Sequence, residues 1–426
     1  MRIAIRGGRF VDPANGIDAV TDLFIAEQRV AYLSRAPDGF HPDREIDARG
    51  LVVCPGLIDL CARLREPGQE HKATIASETR AAAAGGITTL VCPPDTDPVV
   101  DETAVVELIR RRAKAAGFAR VLIVGALTRG LAGEQLAEMA ALKEAGCVGV
   151  GNAAKPIINT LVLRRSLEYA ATYGLTVFLT PGDPWLSAGG CAHEGRVATR
   201  LGLSGVPVAA ETTIVARDLA LLAEIDVRAH FCHLSSARAV EMIAQAQAQG
   251  LPVTADVSAH HLHLTELDLG RFDSLAHVLP PLRSQHDRDG LRAGLASGVI
   301  AAICSDHQPH EVDAKEAPFS DTEPGISGLE TLLALGLRLV EDGILPLTDA
   351  IERLTAGPAR ILRLETGHLG VGAVADVCLF NPHHVWSLEP HIITSRGHNS
   401  PFLGWEFRGR VTHTLLAGRL VYEAPA

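Results

Sequence analysis

The sequence lacks three features that would place it in familiar classes of protein. None of its eight cysteines forms a Cys-x-x-Cys pair, which argues against a structural zinc finger. No run approaches ~20 uninterrupted apolar residues, so no membrane-spanning helix is expected. No Gly-x-Gly-x-x-Gly motif opens a predicted helix, which argues against a dinucleotide-binding fold.

Basic charge is also scarce. The chain has 39 Lys and Arg against 50 Asp and Glu, which gives a net charge of −11 and a pI near 5.9. A nucleic-acid or membrane partner is not expected, because such partners usually require a basic patch. The first residues lack the apolar core of a signal peptide, and the cysteines are scattered. Together these features predict reduced thiols and a cytoplasmic location.

Hydrophobic patterning divides the chain into two kinds of structure. Short strand patterns with turn residues occupy both ends, and between them apolar runs alternate with helical patterns. The predicted elements include helices over 103–116 and 134–145 and strands over 176–179 and 375–380. Roughly eight strand–helix units favour an α/β fold of the (β/α)8 TIM type, with a buried parallel sheet. We predict the barrel over 54–364 and a small β-sandwich domain built from both termini, 1–53 and 365–426.

One polar stretch follows the first apolar run of the predicted barrel. Residues 55–68 have the sequence PGLIDLCARLREPG, with proline and glycine at both ends. If a strand runs through this stretch, the side chains of Cys61, Arg63 and Arg65 lie on one face. Because barrel active sites lie at the carboxyl ends of strands, this face is the first candidate site.

Four motifs resemble those of the dihydroorotase family of the amidohydrolase superfamily. They are REPG at 65–68, DHQPH at 306–310, GISGLET at 325–331 and NSPF at 399–402. The resemblance covers nearly the whole chain and implies a barrel flanked by a β-sandwich. It also implies hydrolysis of a cyclic amide by a pair of zinc ions, with about six protein ligands.

The zinc-ligand positions implied by this resemblance are mostly substituted. Two of them keep a family ligand, namely His233 and Asp306. The others replace the His-x-His of the first strand, the bridging Asp or Lys, and a further His. These substituted positions are Cys61, Arg63, Asn152 and Thr180.

Arg63 argues against a metal ion at this site. A guanidinium stays protonated, and ~4 Å from a unit positive charge it costs on the order of 4 kcal/mol at an effective dielectric constant of ~20. Repulsion by a divalent ion is about twice as large. Cys61 remains a possible third ligand, since thiolates bind zinc well. We nevertheless expect no metal or other cofactor, with Arg63 paired to Asp306 or Asp59.

The positions that hold the substrate carboxylate in the family are partly kept. Arg65 and His310 match the family, whereas Asp95 replaces an asparagine and would repel a carboxylate. Leu279 replaces a second asparagine, just before the Pro-Pro-Leu-Arg motif. With Asp306 as a vestigial catalytic base, these residues are interpreted as remnants of a substrate pocket.

Several of these residues also have a simple structural interpretation. A lone His at a strand end, such as His233, is often a hydrogen-bonded core residue, and a buried carboxylate such as Asp306 often serves an ion pair. The cluster His260, His261 and His263 resembles a metal site. Because the family has histidines here without using them as ligands, a structural role is predicted for this cluster.

The resulting hypothesis is a dihydroorotase-like pseudoenzyme of pyrimidine biosynthesis. Some bacterial aspartate carbamoyltransferases assemble with such a noncatalytic subunit, and the resemblance implies the catalytic chains of that enzyme as partners. A homodimer within the larger complex is expected as well. Two alternatives stay open: an active zinc-dependent dihydroorotase with a degenerate metal site, or a regulatory subunit that binds an anion at Arg63, Arg65 and His310.

Overall fold

Eight parallel strands form a barrel and follow one another in chain order. The structure, a computed structural model, describes residues 1–425. Each strand is hydrogen-bonded to the next in the chain, and the apolar runs are buried on both faces, as expected for a parallel sheet covered by helices. The barrel strands are Leu57–Asp59, Ile87–Cys92, Arg120–Ala126, Gly149–Gly151, Thr176–Leu179, Ala229–Phe231, Val253–Ser258 and Ala302–Cys304.

The barrel closes along a seam between residues 59–63 and 305–307, at the carboxyl ends of its first and eighth strands. The amide of Arg63 donates to the carbonyl of His307 at 2.9 Å. The amide of His307 donates in turn to the carbonyl of Cys61 at 3.2 Å. The seam therefore brings side chains from the two ends of the barrel sequence next to each other.

Asp59 is fully buried and supports the seam. Its carboxylate accepts hydrogen bonds from the amide of Ser305 at 2.8 Å and from the Ser305 hydroxyl. Burial raises the pKa of Asp59 to about 6, although the bonds from Ser305 oppose this shift. The seam is thus held by backbone groups and one buried polar pair, and it needs no metal ligand.

Within residues 1–425, eleven α-helices accompany the barrel. Three of them begin at a hydroxyl residue whose side chain accepts a hydrogen bond from the first turn, namely Thr74, Ser236 and Ser284. The apolar face of each long helix packs on the barrel. The helices are Ile75–Ala84, Thr103–Ala116, Met139–Glu144, Thr160–Thr172, Arg196–Leu201, Ala209–Leu222, Ala237–Ala248, Gln285–Ser297, Leu332–Glu341, Leu347–Leu354 and Ala356–Leu362.

The two termini build a second sheet of eight strands. The two halves of the first strand pair in parallel with different neighbours, Arg44–Asp47 and Val52–Pro55. Its antiparallel pairing with the second strand is irregular between Ile5 and Gly8. Residues from both termini, including Ile25, Leu379 and Leu415, share one buried cluster. The strands are Ile3–Asp12, Ile17–Ala26, Arg29–Leu33, Arg44–Asp47, Val52–Pro55, Val377–Ser387, Glu406–Leu416 and Arg419–Glu423.

The predicted fold, a TIM-type barrel with a β-rich domain from both termini, is confirmed. The expectation of a strand running through residue 65 is wrong, because the strand ends at Asp59 and Arg65 has a left-handed φ of 62°. The helix expected over 134–145 spans only Met139–Glu144, since the segment before it forms a bridge with Thr128. The domain boundaries at 53 and 365 stay predictions.

A predicted strand end after Phe380 is also wrong. The strand continues to Ser387, with irregular pairing between Asn381 and Val385. A two-stranded parallel ladder, Ala192–His193 with Gly205–Val206, interrupts the segment after the fifth barrel strand. Among residues 1–425, no helix has the length and apolar character needed to cross a membrane.

Candidate functional site

The carboxyl ends of the barrel strands bring four of the predicted site residues together. Cys61, Arg63, His233 and Asp306 all line one cavity of about 50 Å³, although 245 positions separate the first from the last. Both Cys61 and Asp306 are buried. The barrel topology accounts for this convergence, because the carboxyl ends of all eight strands meet at the same rim.

Arg63 lies between two carboxylates at the centre of this site. Its Nη1 donates to Asp306 Oδ1 at 3.1 Å, and its Nε donates to Asp95 Oδ2 at 2.8 Å. The Arg63 side chain is 13% exposed and that of Asp306 is 3% exposed, so the Asp306 pair is largely desolvated. The sequence analysis considered Asp306 and Asp59 as partners of Arg63. Arg63 pairs with Asp306, whereas Asp59 accepts a hydrogen bond from the amide of Ser305.

Electrostatics keep Arg63 charged and Cys61 neutral. Burial alone would lower the pKa of Arg63, but Asp95, Cys61 and Asp306 outweigh burial and raise it. Burial raises the pKa of the Cys61 thiol well above its usual range, and Arg63 only partly opposes this shift. The site therefore holds a fixed cation beside a protonated thiol.

His233 belongs to a buried polar group that the sequence did not reveal. Its Nδ1 lies 3.3 Å from Cys304 Sγ, and its amide donates to Asp256 Oδ1 at 2.6 Å. The other oxygen of Asp256 lies 2.9 Å from His230 Nε2. Burial alone would raise the pKa of Asp256, but His233 and His230 lower it. The only sequence signal for this group is the position of Cys304, two residues before the motif residue Asp306.

Two substituted ligand positions serve other purposes. Asn152 accepts a hydrogen bond from the Thr128 hydroxyl at 2.8 Å and donates to the carbonyls of Leu131 and Lys155. Its side chain therefore links the loop at 128–131 to the loop at 152–155. Thr180 lines the cavity and, like any threonine, offers only a neutral hydroxyl. Neither position supplies the bridging or imidazole ligand that a zinc pair requires.

The predicted carboxylate-binding residues lie at one side of the site. Arg65 Nη2 is 3.0 Å from His310 Nε2, and Arg65 Nε donates to the Pro309 carbonyl at 3.1 Å. Asp95 is not directed at this group, since it pairs with Arg63. Leu279 is apolar, 45% exposed, and lines the cavity.

A second cation, Lys72, joins His310 and was not recognised from the sequence. Lys72 Nζ lies 3.1 Å from His310 Nδ1, while Arg65 lies at the other ring nitrogen. Burial, followed by the charges of Arg65 and Lys72, lowers the pKa of His310 to about 2. Burial and the charge of Arg63 also lower the pKa of Arg65 to about 10. Two cations, Arg65 and Lys72, thus flank a neutral imidazole, and Lys72 also pairs with Glu311 at 3.7 Å.

The histidine cluster after the seventh barrel strand is hydrogen-bonded within the protein. His261 Nδ1 lies 2.5 Å from Ser258 Oγ, and its Nε2 lies 3.1 Å from the Pro280 carbonyl. His263 Nε2 lies 2.9 Å from the Leu335 carbonyl. Burial lowers the pKa of both histidines, to about 4 and about 3. Their contacts are those of structural residues.

The residues present do not fit a pair of zinc ions. Cys61, His233 and Asp306 have potential ligand atoms within 4.8 Å of one another. However, Arg63 Nη1 lies 3.1 Å from the Asp306 oxygen and 4.0 Å from the Cys61 sulfur, so a guanidinium occupies the space among these donors. A cation held there repels a metal ion, and the bridging ligand is missing.

Solved structures and a family model place the fold in a known class. The amidohydrolase family model matches residues 204–421. L-hydantoinase from Arthrobacter aurescens superposes with a TM-score of 0.89 at 24% identity, covering 100% of this chain and 96% of the hydantoinase. A D-hydantoinase structure gives a TM-score of 0.83 at 23% identity, covering 99% and 95%. The chain is a member of the amidohydrolase superfamily.

Sequence relatives define the family within this class. The dihydro-orotase-like family model matches residues 50–239. A dihydroorotase-like protein of Pseudomonas aeruginosa is 52% identical over 99% of this chain and 100% of its own length. A dihydroorotase of Geobacter sp. strain M21 is 43% identical over the full length of both chains. The chain therefore belongs to the dihydroorotase family.

Proposed function

We propose that this chain is a noncatalytic dihydroorotase homologue that serves as a structural subunit for aspartate carbamoyltransferase in pyrimidine biosynthesis. The observation that supports it most directly is the Arg63–Asp306 ion pair of 3.1 Å, at positions that implied a metal ligand and a catalytic base. The name of the Pseudomonas relative, a dihydroorotase-like protein, agrees with this proposal.

Two requirements of cyclic-amide hydrolysis support the noncatalytic part of the proposal. The reaction needs an activated water, generated in the family by metal ions, and a base that accepts the proton of that water. Here Arg63 holds Asp306 as an ion-pair partner, and the donors that remain surround a guanidinium.

Metal analysis combined with an activity assay tests the noncatalytic part of the proposal. We expect purified protein, dialysed against zinc and then against buffer, to hold far less than one zinc per chain. We also expect no turnover of dihydroorotate or carbamoyl aspartate with zinc added. About two zinc ions per chain together with hydrolysis would overturn the proposal. An authentic dihydroorotase, treated in parallel, controls for the assay.

Co-purification tests the partner. This chain should be co-expressed in the cytoplasm with the aspartate carbamoyltransferase catalytic chain of the same organism. We expect the two proteins to elute together as one large complex that contains a dimer of this chain. Separate elution of the two proteins at micromolar concentration would contradict the proposed assembly. Omitting this chain should lower the assembly state or the activity of the transcarbamoylase.

Two alternative functions have specific support. The 43% identity to proteins named dihydroorotase favours an active hydrolase, which the metal and activity measurements above decide. The two cations Arg65 and Lys72, on either side of the neutral His310 ring, favour an anion-binding regulatory role. Calorimetry with dihydroorotate, carbamoyl aspartate and nucleotides tests that role, and an absence of heat with each of them would refute it.

A further inference from the structure

The barrel exposes its large apolar side chains almost entirely at one rim. Among residues 54–364, every exposed side chain of this kind, apart from Tyr173, lies on a loop or a first helical turn that follows the fourth, fifth, seventh or eighth strand. Because the carboxyl ends of the strands meet at one rim, these side chains share the face of the candidate site. Six of them are called the rim patch, namely Ile158, Trp185, Leu186, Leu267, Phe272 and Leu279.

The loops that carry the rim patch meet around one cavity of about 230 Å³. Pro156, Pro184 and Leu279 all line this cavity, and they belong to the loops after the fourth, fifth and seventh strands. Trp185 and Leu186 directly follow Pro184 in the chain. Single exposed apolar residues are normal on protein surfaces, whereas a group that borders one depression is typical of an interaction site.

Trp185 is the most exposed member of the rim patch, at 77%. The turn that presents it is held by Asp183, whose Oδ1 accepts hydrogen bonds from the amides of Trp185 and Leu186, both at 2.9 Å. Pro184, between them, has a fixed φ. Since this backbone is ordered before any partner binds, association loses less conformational freedom. Tryptophan is also among the residues that contribute most to binding at protein interfaces.

The loop after the eighth strand packs beside the loop after the seventh. The Phe319 ring lies 4.7 Å from the His277 ring, centroid to centroid. The amide of Gly325 donates to the His277 carbonyl at 2.8 Å. The charged residues of both loops therefore border the rim patch.

The exposed charge of this border is mostly acidic. Residues 152–159, 181–190, 263–284 and 308–328 expose only two basic side chains, Lys155 and Arg271, whereas Arg283 and Lys315 are buried. The exposed acidic side chains of the same loops form no ion pair among the described residues. They are Asp268, Asp273, Asp313, Glu316, Asp321 and Glu323.

An apolar patch with an acidic border selects among possible occupants. Nucleic acid and anionic membranes carry the same sign of charge as the border and are disfavoured. A second copy that docked through this face would bring two acidic borders together, because an isologous contact pairs the same surface of both chains. Like charges across an interface reduce affinity. A protein with an apolar patch bordered by basic residues complements both features.

We propose that the rim patch is the docking surface for the catalytic chain of aspartate carbamoyltransferase, through an apolar patch of that chain bordered by basic residues. This inference rests on the proposed function and adds the face through which the two proteins assemble. The rim of an active barrel enzyme has to admit its substrate. Under the proposed function a covered rim blocks no reaction, because Arg63 occupies the space among the remaining donors.

Titration calorimetry between this full-length chain and the purified catalytic chain of the transcarbamoylase from the same organism tests the proposal. We expect Trp185→Ser/Leu186→Ser to raise the dissociation constant at least tenfold, because it removes the aromatic anchor. Both side chains are exposed, so the melting temperature should not change. The matched control, Val20→Ser/Val371→Ser, removes two apolar side chains that are 74% and 67% exposed away from the rim, and it should bind as the wild type does.

The acidic border is tested by the salt dependence of binding. We expect the wild-type dissociation constant to rise between about 50 mM and about 500 mM salt, because salt screens the attraction to a basic partner surface. Asp313→Asn/Glu316→Gln should bind more weakly at low salt and depend less on salt. A wild-type dissociation constant that does not rise with salt would overturn the proposal.

The outcomes separate this inference from the proposed function. A wild type that does not bind the catalytic chain overturns both. Equal binding by the wild type and Trp185→Ser/Leu186→Ser overturns the docking surface alone, and so does a control variant that loses binding as strongly as the rim variant. Sedimentation of the chain by itself examines the remaining occupant: if the rim variant changes from dimer to monomer, the rim patch belongs to a second copy and the proposal is wrong.

Discussion

Replacing Arg63 with methionine should destabilise the protein strongly, because it leaves Asp306 buried without a cation. At 3.1 Å the gross Coulomb attraction of this pair is about 5 kcal/mol at an effective dielectric constant of ~20. Loss of one partner of a buried pair typically costs about 3–5 kcal/mol. We expect about 3 kcal/mol, since Gln308 still donates to Asp306 at 3.1 Å and Asp95 is more exposed than Asp306.

Chemical denaturation of the wild type, the single variants and the double variant Arg63→Met/Asp306→Asn measures these effects. The double variant removes both charges, and we expect it to recover at least half of the stability lost in Arg63→Met. The reasoning would be refuted by an Arg63→Met variant within about 0.5 kcal/mol of the wild type. It would also be refuted by a double variant whose loss equals the sum of the two single losses, since independent sites add in this way.

Three further predictions concern other parts of the site. The double variant Cys61→His/Arg63→His should show no zinc-dependent hydrolysis of dihydroorotate, because two other ligand positions still lack donors; measurable turnover would contradict this. In Lys72→Met the pKa of His310 should rise from about 2, because a cation 3.1 Å away is removed; an NMR titration of the ring protons that finds no change would refute it. The pKa of Asp59, about 6 in the fold, means that its contribution to stability falls as the pH rises from about 4 to 6. Asp59→Asn should remove that slope, so that denaturation at pH 4 and pH 7 differs less than in the wild type.

Much of the fold follows from the sequence because its patterns are local. The helix expected over 103–116 and the strand expected over 176–179 coincide with Thr103–Ala116 and Thr176–Leu179. Both are long or strongly apolar segments bounded by turn residues. By contrast, the strand expected through residue 65 fails because Arg65 has a left-handed φ of 62° and its carbonyl accepts a hydrogen bond from the amide of Gln69 at 2.7 Å, so the chain turns there.

The identity of the candidate residues was accessible from motifs, but their contacts were not. Asp95 appeared from the sequence to be a poor carboxylate-binding residue, whereas in the structure it is an ion-pair partner of Arg63. Lys72 and His310 are 238 positions apart, and no sequence spacing connects them. Contacts of this kind depend on the register and orientation of distant strand ends, which hydrophobic periodicity does not specify.

The closure of the barrel has a consequence for how activity is inferred in this family. The seam uses the peptide groups of residues 61, 63 and 307 and the Asp59–Ser305 pair, and none of these depends on a metal ion. The rim side chains can therefore differ between chains that share this architecture. Motif residues such as Asp59 and His307 indicate the fold, whereas hydrolase activity has to be judged from the side chains at positions 61 and 63 and their partners.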